Sequence, residues 1–300
     1  MKNKSLAQVT DFDLKLLRVF KTVSECGSFS AAESLLGITR SAVSLHMSDL
    51  EKRLGMRLCQ RGRAGFSLTD EGREILRHSE TMMVAIENFR QQVNQMHKQL
   101  RGEFNIGIIN NLVTQPQMKI THALETLRIN GPEIRINISM MTAVEIERGV
   151  MDGRLHVGAL PLTSPISSLN YTQLYDETSH LYCSESHPLF AGETVISPDV
   201  LSHYDAIAPS SRMTAEAIGM HQMLNCTATA SDREGIAFLI LTGRYMGFLP
   251  DHYAMRWVDN KIMRALAPER MHFSNEIAIA TRKGSHFNTI LERFLAALEL

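Results

Sequence analysis

The feature that most constrains this chain is an apolar stripe between residues 75 and 100. Its members alternate between spacings of four and three residues: Ile75, Ser79, Met82, Ile86, Phe89, Val93, Met96 and Leu100. That heptad spacing predicts one helix of about thirty residues, which begins at Asp70 with Thr69 as its cap. A long helix with one apolar face is not stable alone in water, so the stripe must be buried against another surface.

Two surfaces can cover this stripe: the same helix of a second subunit, or the C-terminal part of the chain itself. The N-terminal and C-terminal parts of the chain differ in net charge. Residues 1–101 contain 16 Lys and Arg against 11 Asp and Glu, whereas the remainder contains 15 against 21. A basic N-terminal part on an acidic body indicates that the N-terminal part meets a polyanion.

Before the stripe, the sequence predicts three helices in quick succession. The first runs over residues 13–23, and the second is a short Ala-rich helix over 31–36, with Ser30 as its cap in a capping box with Glu33. The third runs from Arg40 to Leu54, with Thr39 as its cap, and stops at Gly55. A short helix, a tight turn and a longer helix with small polar residues at its start are typical of a helix-turn-helix.

The start of the third helix is the predicted DNA-reading face, because a helix-turn-helix inserts this segment into the major groove. Residues 56–69 predict a hairpin wing whose arginines meet the sugar-phosphate backbone, although a merely solvated basic hairpin remains the alternative. Arg40 is suited to reading a guanine edge. The candidate DNA-binding residues are Ser28, Ser30, Thr39, Arg40, Ser41, Ser44, Leu45, His46, Ser48, Arg57, Arg61 and Arg63.

These N-terminal residues resemble the LysR-type transcriptional regulators. The resemblance rests on Phe20, the run 28–32, the runs 42–44 and 50–55, Leu58 with Arg61, and the run 68–72, which follow one another in the family's order and spacing. Family members often have Gln-Pro where this chain has Arg40-Ser41, so the operator sequence cannot be transferred. The resemblance implies that the long helices of two subunits pair, through Ile75, Met82, Ile86, Phe89, Val93 and Met96, into homodimers and further into homotetramers.

After residue 101 strands alternate with helices, which predicts α/β architecture with a mostly parallel sheet. The predicted elements include a helix over 113–129 and two separate strands over 171–174 and 180–184. The resemblance implies a two-lobed effector domain similar to periplasmic binding proteins, with crossovers near Pro161 and near 265–268. The predicted domains are a winged helix-turn-helix (1–69), a linker helix (70–101) and an effector domain (102–300), whose first lobe is 102–161 with 266–300 and whose second is 162–265.

A small-molecule site is expected between the lobes, because ligands of such sheets bind beyond the carboxyl ends of the strands. Hydroxyl and amide groups at helix starts, with one arginine, favour an anionic effector. The candidate effector-binding residues are Asn110, Asn111, Thr142, Pro161, Ser210, Ser211, Arg212 and Thr229.

Other classes of function have little support in the sequence. We find no catalytic motif, no metal-ligand spacing and no signature of a cofactor, and the longest apolar run, 237–241, is too short for a membrane span. We therefore expect a cytoplasmic regulator without enzymatic activity, whose partners are double-stranded promoter DNA, a small molecule and itself, with RNA polymerase as a further candidate. A regulator switched by oxidation of Cys183 or Cys226 instead of a metabolite remains the alternative.

Overall fold

The computed structural model describes residues 8–62, 65–96, 100–192, 195–284 and 288–298. The chain divides into the units Met1–Asn88 and Phe89–Leu300. The elements of the first part are α1 (Asp11–Cys26), α2 (Phe29–Leu36), α3 (Arg40–Leu54), β1 (Cys59–Gly62), β2 (Gly65–Leu68) and α4 (Asp70–Met96). The predicted helix-turn-helix, hairpin wing and long helix are therefore present.

Local capping signals set the ends of these helices. Thr39 accepts a hydrogen bond from the Ala42 N–H (3.3 Å), so α3 begins where the sequence predicts. The prediction that Ser30 caps α2 is wrong. Ser28 accepts from the Ala31 N–H (3.1 Å), because the left-handed turn at Gly27 leaves Ser28 extended and starts the helix at Phe29.

The core of the first unit is built from the apolar faces of α1 and α3 and from the wing. Leu16, Phe20, Val43 and Met47 are fully buried in it. Helix α4 approaches the wing closely at Gly72, where a Cβ atom would overlap the backbone carbonyl oxygen of Leu58. Glycine is therefore required at the first turn of α4.

Helix α4 carries the predicted apolar stripe, but the two ends of the stripe serve the neighbouring cores. Ile75 packs against the core of the first unit, and Leu100 packs against a core of the second. Both residues are half-buried, so their place in a pairing surface between subunits stays a prediction. Between them, Ile86, Phe89 and Val93 are 38%, 67% and 37% exposed.

The second unit is a mixed α/β structure. Its helices are α5 (Lys119–Asn130), α6 (Ala143–Met151), α7 (Pro198–Ser202), α8 (Ala215–Gln222), α9 (Arg233–Leu241), α10 (Asp251–Val258) and α11 (Thr289–Ala297). Its strands are β3 (Gly102–Ile108), β4 (Ile134–Met140), β5 (Val157–Pro161), β6 (Leu169–Ser184), β7 (Asp205–Pro209), β8 (Asn225–Ala230), β9 (Gly247–Pro250), β10 (Met263–Ala265) and β11 (His272–Arg282).

Two long strands join the two lobes of this unit. The main sheet has the order β10-β6-β11-β5-β3-β4, with β9 also paired to β6, and a small parallel sheet contains β7 and β8. Residues 169–180 of β6 pair antiparallel with the whole of β11, with one register shift between Ile277 and Ala278. Leu169 and Ile279 lie in the core of the first lobe, whereas Leu181 and Phe273 lie in a core of the second. The chain therefore crosses between the lobes within β6 and β11.

This geometry corrects several predictions for the second unit. The crossovers are not at Pro161 and 265–268, and the two strands predicted over 171–174 and 180–184 are one strand, because pairing with β11 holds the polar residues between them extended. The helix predicted over 113–129 is interrupted: a short 3-10 turn, Leu112–Thr114, precedes α5. Helices α7, α8 and α10 are not predicted by the sequence patterns.

No helix among the residues that the structure describes has the length and apolarity needed to cross a membrane.

Candidate DNA-reading face and effector cavity

One side of α3 is exposed and carries short polar side chains. Arg40, Ser41 and Leu45 are exposed, and Ser44 and Ser48 are half-buried. The Thr39 and Ser41 hydroxyls are 2.9 Å apart. This face has the donors and acceptors that read base edges and hold phosphates, on the helix that a helix-turn-helix inserts into the major groove.

An ion pair and a hydrogen bond connect α3 to α1 and to the wing. Arg53, at its C-terminal end, forms a two-point pair with the buried Asp13 of α1, with one N–O distance of 2.7 Å. The Arg53 guanidinium lowers the pKa of Asp13 to about 2, so the pair is complete above about pH 4 and is lost only as the pH falls toward 2. Glu51 accepts from the backbone N–H of Leu58 (2.9 Å), which fixes the wing to the same helix.

The other predicted DNA-binding residues have varied positions. Ser30 is exposed on the first turn of α2, while Ser28 is the cap of that helix. His46 is half-buried, with its ring 6.5 Å from that of Phe12. Arg57 is exposed, and its carbonyl accepts from the Thr69 hydroxyl (2.7 Å). The side chain of Arg61 and the whole of Arg63 lie outside the described residues.

Of the predicted dimerisation residues, Ile86, Phe89 and Val93 form the exposed apolar stripe of α4, and Met82 is half-buried. The side chain of Met96 lies outside the described residues. A pairing surface between subunits stays a prediction.

A cavity of about 590 Å³ lies in the second unit, between the two lobes. Six of the eight predicted effector residues line it: Asn110, Thr142, Pro161, Ser210, Ser211 and Arg212. The other two do not. Asn111 adopts a left-handed conformation at the start of the 3-10 turn, and Thr229 is exposed on β8.

The cavity has charged residues that sequence reasoning missed. Glu177, whose side chain is fully buried, lies in the middle of β6. It forms an ion pair with Arg233 at the start of α9 and accepts from His252 Nε2 at 2.8 Å. Arg233 also donates to the backbone carbonyl of Asn110 in the first lobe (3.3 Å). We call Glu177, Arg233 and His252 the interlobe cluster.

Burial of the charged groups of this cluster costs free energy, because they lose contact with water. Pairing between the groups offsets that cost. Burial lowers the pKa of Arg233 from its ordinary value, while the Glu177 carboxylate acts in the other direction. A buried charge needs a partner to be tolerated, so each member depends on the others. In the sequence, Glu177 lies between the two predicted strands 171–174 and 180–184, where no pattern marks it as buried.

A second polar group lies at the start of α6. Thr142 and Glu145 form a capping box, in which the Thr142 hydroxyl donates to Glu145 at 2.7 Å. Glu147 accepts from the Tyr171 hydroxyl at 3.1 Å and lies 3.9 Å from the guanidinium of Arg212, which is 58% exposed. Arg212 is therefore a cation that borders the cavity, with one long ion pair to Glu147 and more than half of its side chain exposed.

The two cysteines of the redox alternative differ in environment. Burial raises the pKa of the Cys183 thiol to about 12, so little thiolate forms at neutral pH. Cys226 is exposed on β8, and partial burial of its thiol raises its pKa as well. Neither environment favours a reactive thiolate. Among the described residues, no group of three or more His, Cys, Asp or Glu is placed to hold a metal ion.

Comparison with protein families gives two matches that together span most of the chain. Residues 14–73 match the model described as "Bacterial regulatory helix-turn-helix protein, lysR family", and residues 97–299 match the model of the "LysR substrate binding domain". The second match covers more than half of the chain and contains the cavity.

Curated relatives and solved structures agree with this assignment. The HTH-type transcriptional activator BauR of Pseudomonas aeruginosa is 61% identical over 298 residues, which cover 99% of this chain and 98% of the relative. The crystal structure of CbnR, a LysR family transcriptional regulator, has a TM-score of 0.70 at 18% identity, covering 95% of this chain and 98% of CbnR. Full-length CbnR complexed with its target DNA has a TM-score of 0.69 at 18% identity, covering the same shares of the two chains.

Proposed function

This chain belongs to the LysR family of bacterial transcriptional regulators, and on that premise we propose that it binds promoter DNA through α3 and the wing and activates transcription under the control of a small molecule bound between its lobes. The observation that carries the DNA-binding part is the exposed face of α3, with Arg40 and Ser41 at its start. The 61% identical relative is named as an activator, which supports activation as the outcome.

The proposed regulator acts as a dimer, and further as a tetramer, in the cytoplasm and without catalysis. The exposed stripe of Ile86, Phe89 and Val93 supports the dimer, because a long helix does not keep such a face in water. Two DNA-binding domains held by paired α4 helices would read two half-sites.

Selection of duplexes from a random pool by the full-length protein tests the DNA-binding proposal. We expect one enriched motif that contains two half-sites separated by a multiple of about 10 base pairs. The affinity for that duplex is expected to fall steeply with salt, since arginines on α3 and the wing displace counterions from phosphates. Failure to enrich any sequence would contradict the proposal.

The effector class that we propose is a small organic carboxylate. The carboxylates that line the cavity already have donors: Glu145 has Thr142, Glu147 has Tyr171, Glu177 has the interlobe cluster, and Asp232 caps α9. Arg212 is the cation at the rim that can pair with an incoming carboxylate. Ser210 and Ser211 lie beside it in the cavity lining.

We expect Arg212→Ala to weaken carboxylate binding. The test is a thermal-shift screen of short carboxylates, such as succinate and benzoate, against their amides. Loss of one charge-assisted contact should weaken a binding carboxylate about 10-fold or more. Arg244→Ala, which removes an exposed arginine outside the cavity lining, is the matched control and should bind like wild type. If the amides stabilise the protein as well as the carboxylates do, the proposed class is wrong.

A further inference from the structure

Leu45 is an apolar side chain in the middle of the polar face of α3. It is 58% exposed, and the helical spacing places Ser41 one turn before it and Ser48 one turn after it. Leu45 also precedes the exposed Lys52 by two turns on the same side of the helix. The surface that these residues form is polar except at Leu45.

Leu45 does not contribute to the core of the first unit. Val43, Met47 and Leu50 provide the buried face of α3, on the opposite side of the helix. Among the described residues, Leu45 is absent from the apolar cluster of the first unit, which contains even the half-buried Leu54 and Ile38. Its position on the helix that enters the groove is therefore the feature that needs an explanation.

We propose that Leu45 reads the C5-methyl group of a thymine in each half-site of the operator. The edges of the bases in the major groove are otherwise donors and acceptors, and the thymine methyl is the apolar group that an exposed leucine can cover. Covering it removes apolar surface of both partners from water, which gives a preference for thymine over every other base at that position. This inference rests on the proposed function, because it requires that α3 binds DNA.

The decisive probe is deoxyuridine, which differs from thymidine only by the missing methyl. In the duplex enriched by the full-length protein, each thymine is replaced singly by deoxyuridine and binding is measured at equilibrium. Burial of one methyl-sized group corresponds to about a four-fold change in affinity. We expect about four-fold weaker binding at one thymine of each half-site, and about fifteen-fold when both are replaced.

Leu45→Ala should bind the thymidine and deoxyuridine duplexes with equal affinity. Any change in DNA shape caused by deoxyuridine acts on both proteins, so the difference between them isolates the methyl contact. Leu35→Ala is the matched control: this leucine, on α2, is 72% exposed and should leave the preference for thymine intact. Because neither leucine is part of the core, both variants are expected to fold, which circular dichroism checks.

Three results overturn the inference. Wild-type protein that tolerates deoxyuridine at every position has no methyl contact. A Leu45→Ala variant that loses as much affinity as wild type places the contact elsewhere, and Leu45 then has another partner, such as a protein surface. Failure of the wild-type protein to bind any enriched duplex would overturn the proposed function itself, whereas the first two results leave it standing.

Discussion

Replacement of Glu177 by alanine is expected to lower the free energy of unfolding of the second unit by about 3–5 kcal/mol. The substitution removes the carboxylate that pairs with Arg233 and accepts from His252, and leaves a buried guanidinium without its partner. Because Arg233 also reaches the first lobe through the Asn110 carbonyl, the loss should loosen the connection between the lobes. Urea unfolding followed by far-UV circular dichroism measures the effect.

Two further variants separate an unpaired buried charge from the mere loss of an ion pair. Glu133→Ala breaks a pair with Arg101 in which both side chains are about half exposed, and should cost less than about 1 kcal/mol. The double variant Glu177→Leu with Arg233→Met removes both buried charges and should recover much of the stability. If Glu177→Ala costs no more than Glu133→Ala, the interlobe cluster does not stabilise the unit.

Substitution of Ile86 and Phe89 by lysine is expected to convert the protein to monomers. The two side chains belong to the exposed stripe of α4, and two charges per helix would have to be buried in any pair of such helices. Each DNA-binding domain would then bind its half-site alone. Loss of the linkage should weaken operator binding by about 100-fold or more. Sedimentation velocity and a binding titration on the same sample measure both effects.

Met255→Lys is the control for this double substitution, because Met255 is an exposed apolar residue, 49% accessible, on α10. It should leave both mass and affinity unchanged. Dimers that persist in the Ile86→Lys and Phe89→Lys variant would favour the alternative that the stripe is covered by the chain's own effector domain.

The DNA-binding part could be predicted from sequence because its signals are local. Thr39 and Gly55 bracket α3 at the predicted residues, and the buried positions of the helix follow its periodicity. Prediction fails where two local signals compete. Ser28 and Ser30 are both of a residue type that caps helices, and the left-handed turn at Gly27 selects Ser28. Periodicity likewise identified the stripe of α4, but not that Ile75 and Leu100 would pack against the adjoining cores.

The effector part was harder to predict because its decisive interactions are between distant residues. Residues at strand ends, such as Asn110 and Thr142, could be placed in the cavity from the topology of parallel sheets alone. Glu177 could not, because a carboxylate in a strand is buried only when Arg233, 56 residues away, pairs with it. The same long-range pairing with β11 makes β6 continuous where the sequence pattern predicted two separate strands.

The central claim is that the exposed start of α3 reads operator DNA, and Arg40→Ala on the selected duplex tests it most directly. We expect the variant to bind about 10-fold or more weakly and to lose the preference at one base pair in each half-site, because a bidentate contact contributes about 1–3 kcal/mol of discrimination. Arg18→Ala, which removes the same charge from the exposed side of α1, should keep the preference. An Arg40→Ala protein with wild-type affinity and wild-type sequence preference would contradict the account.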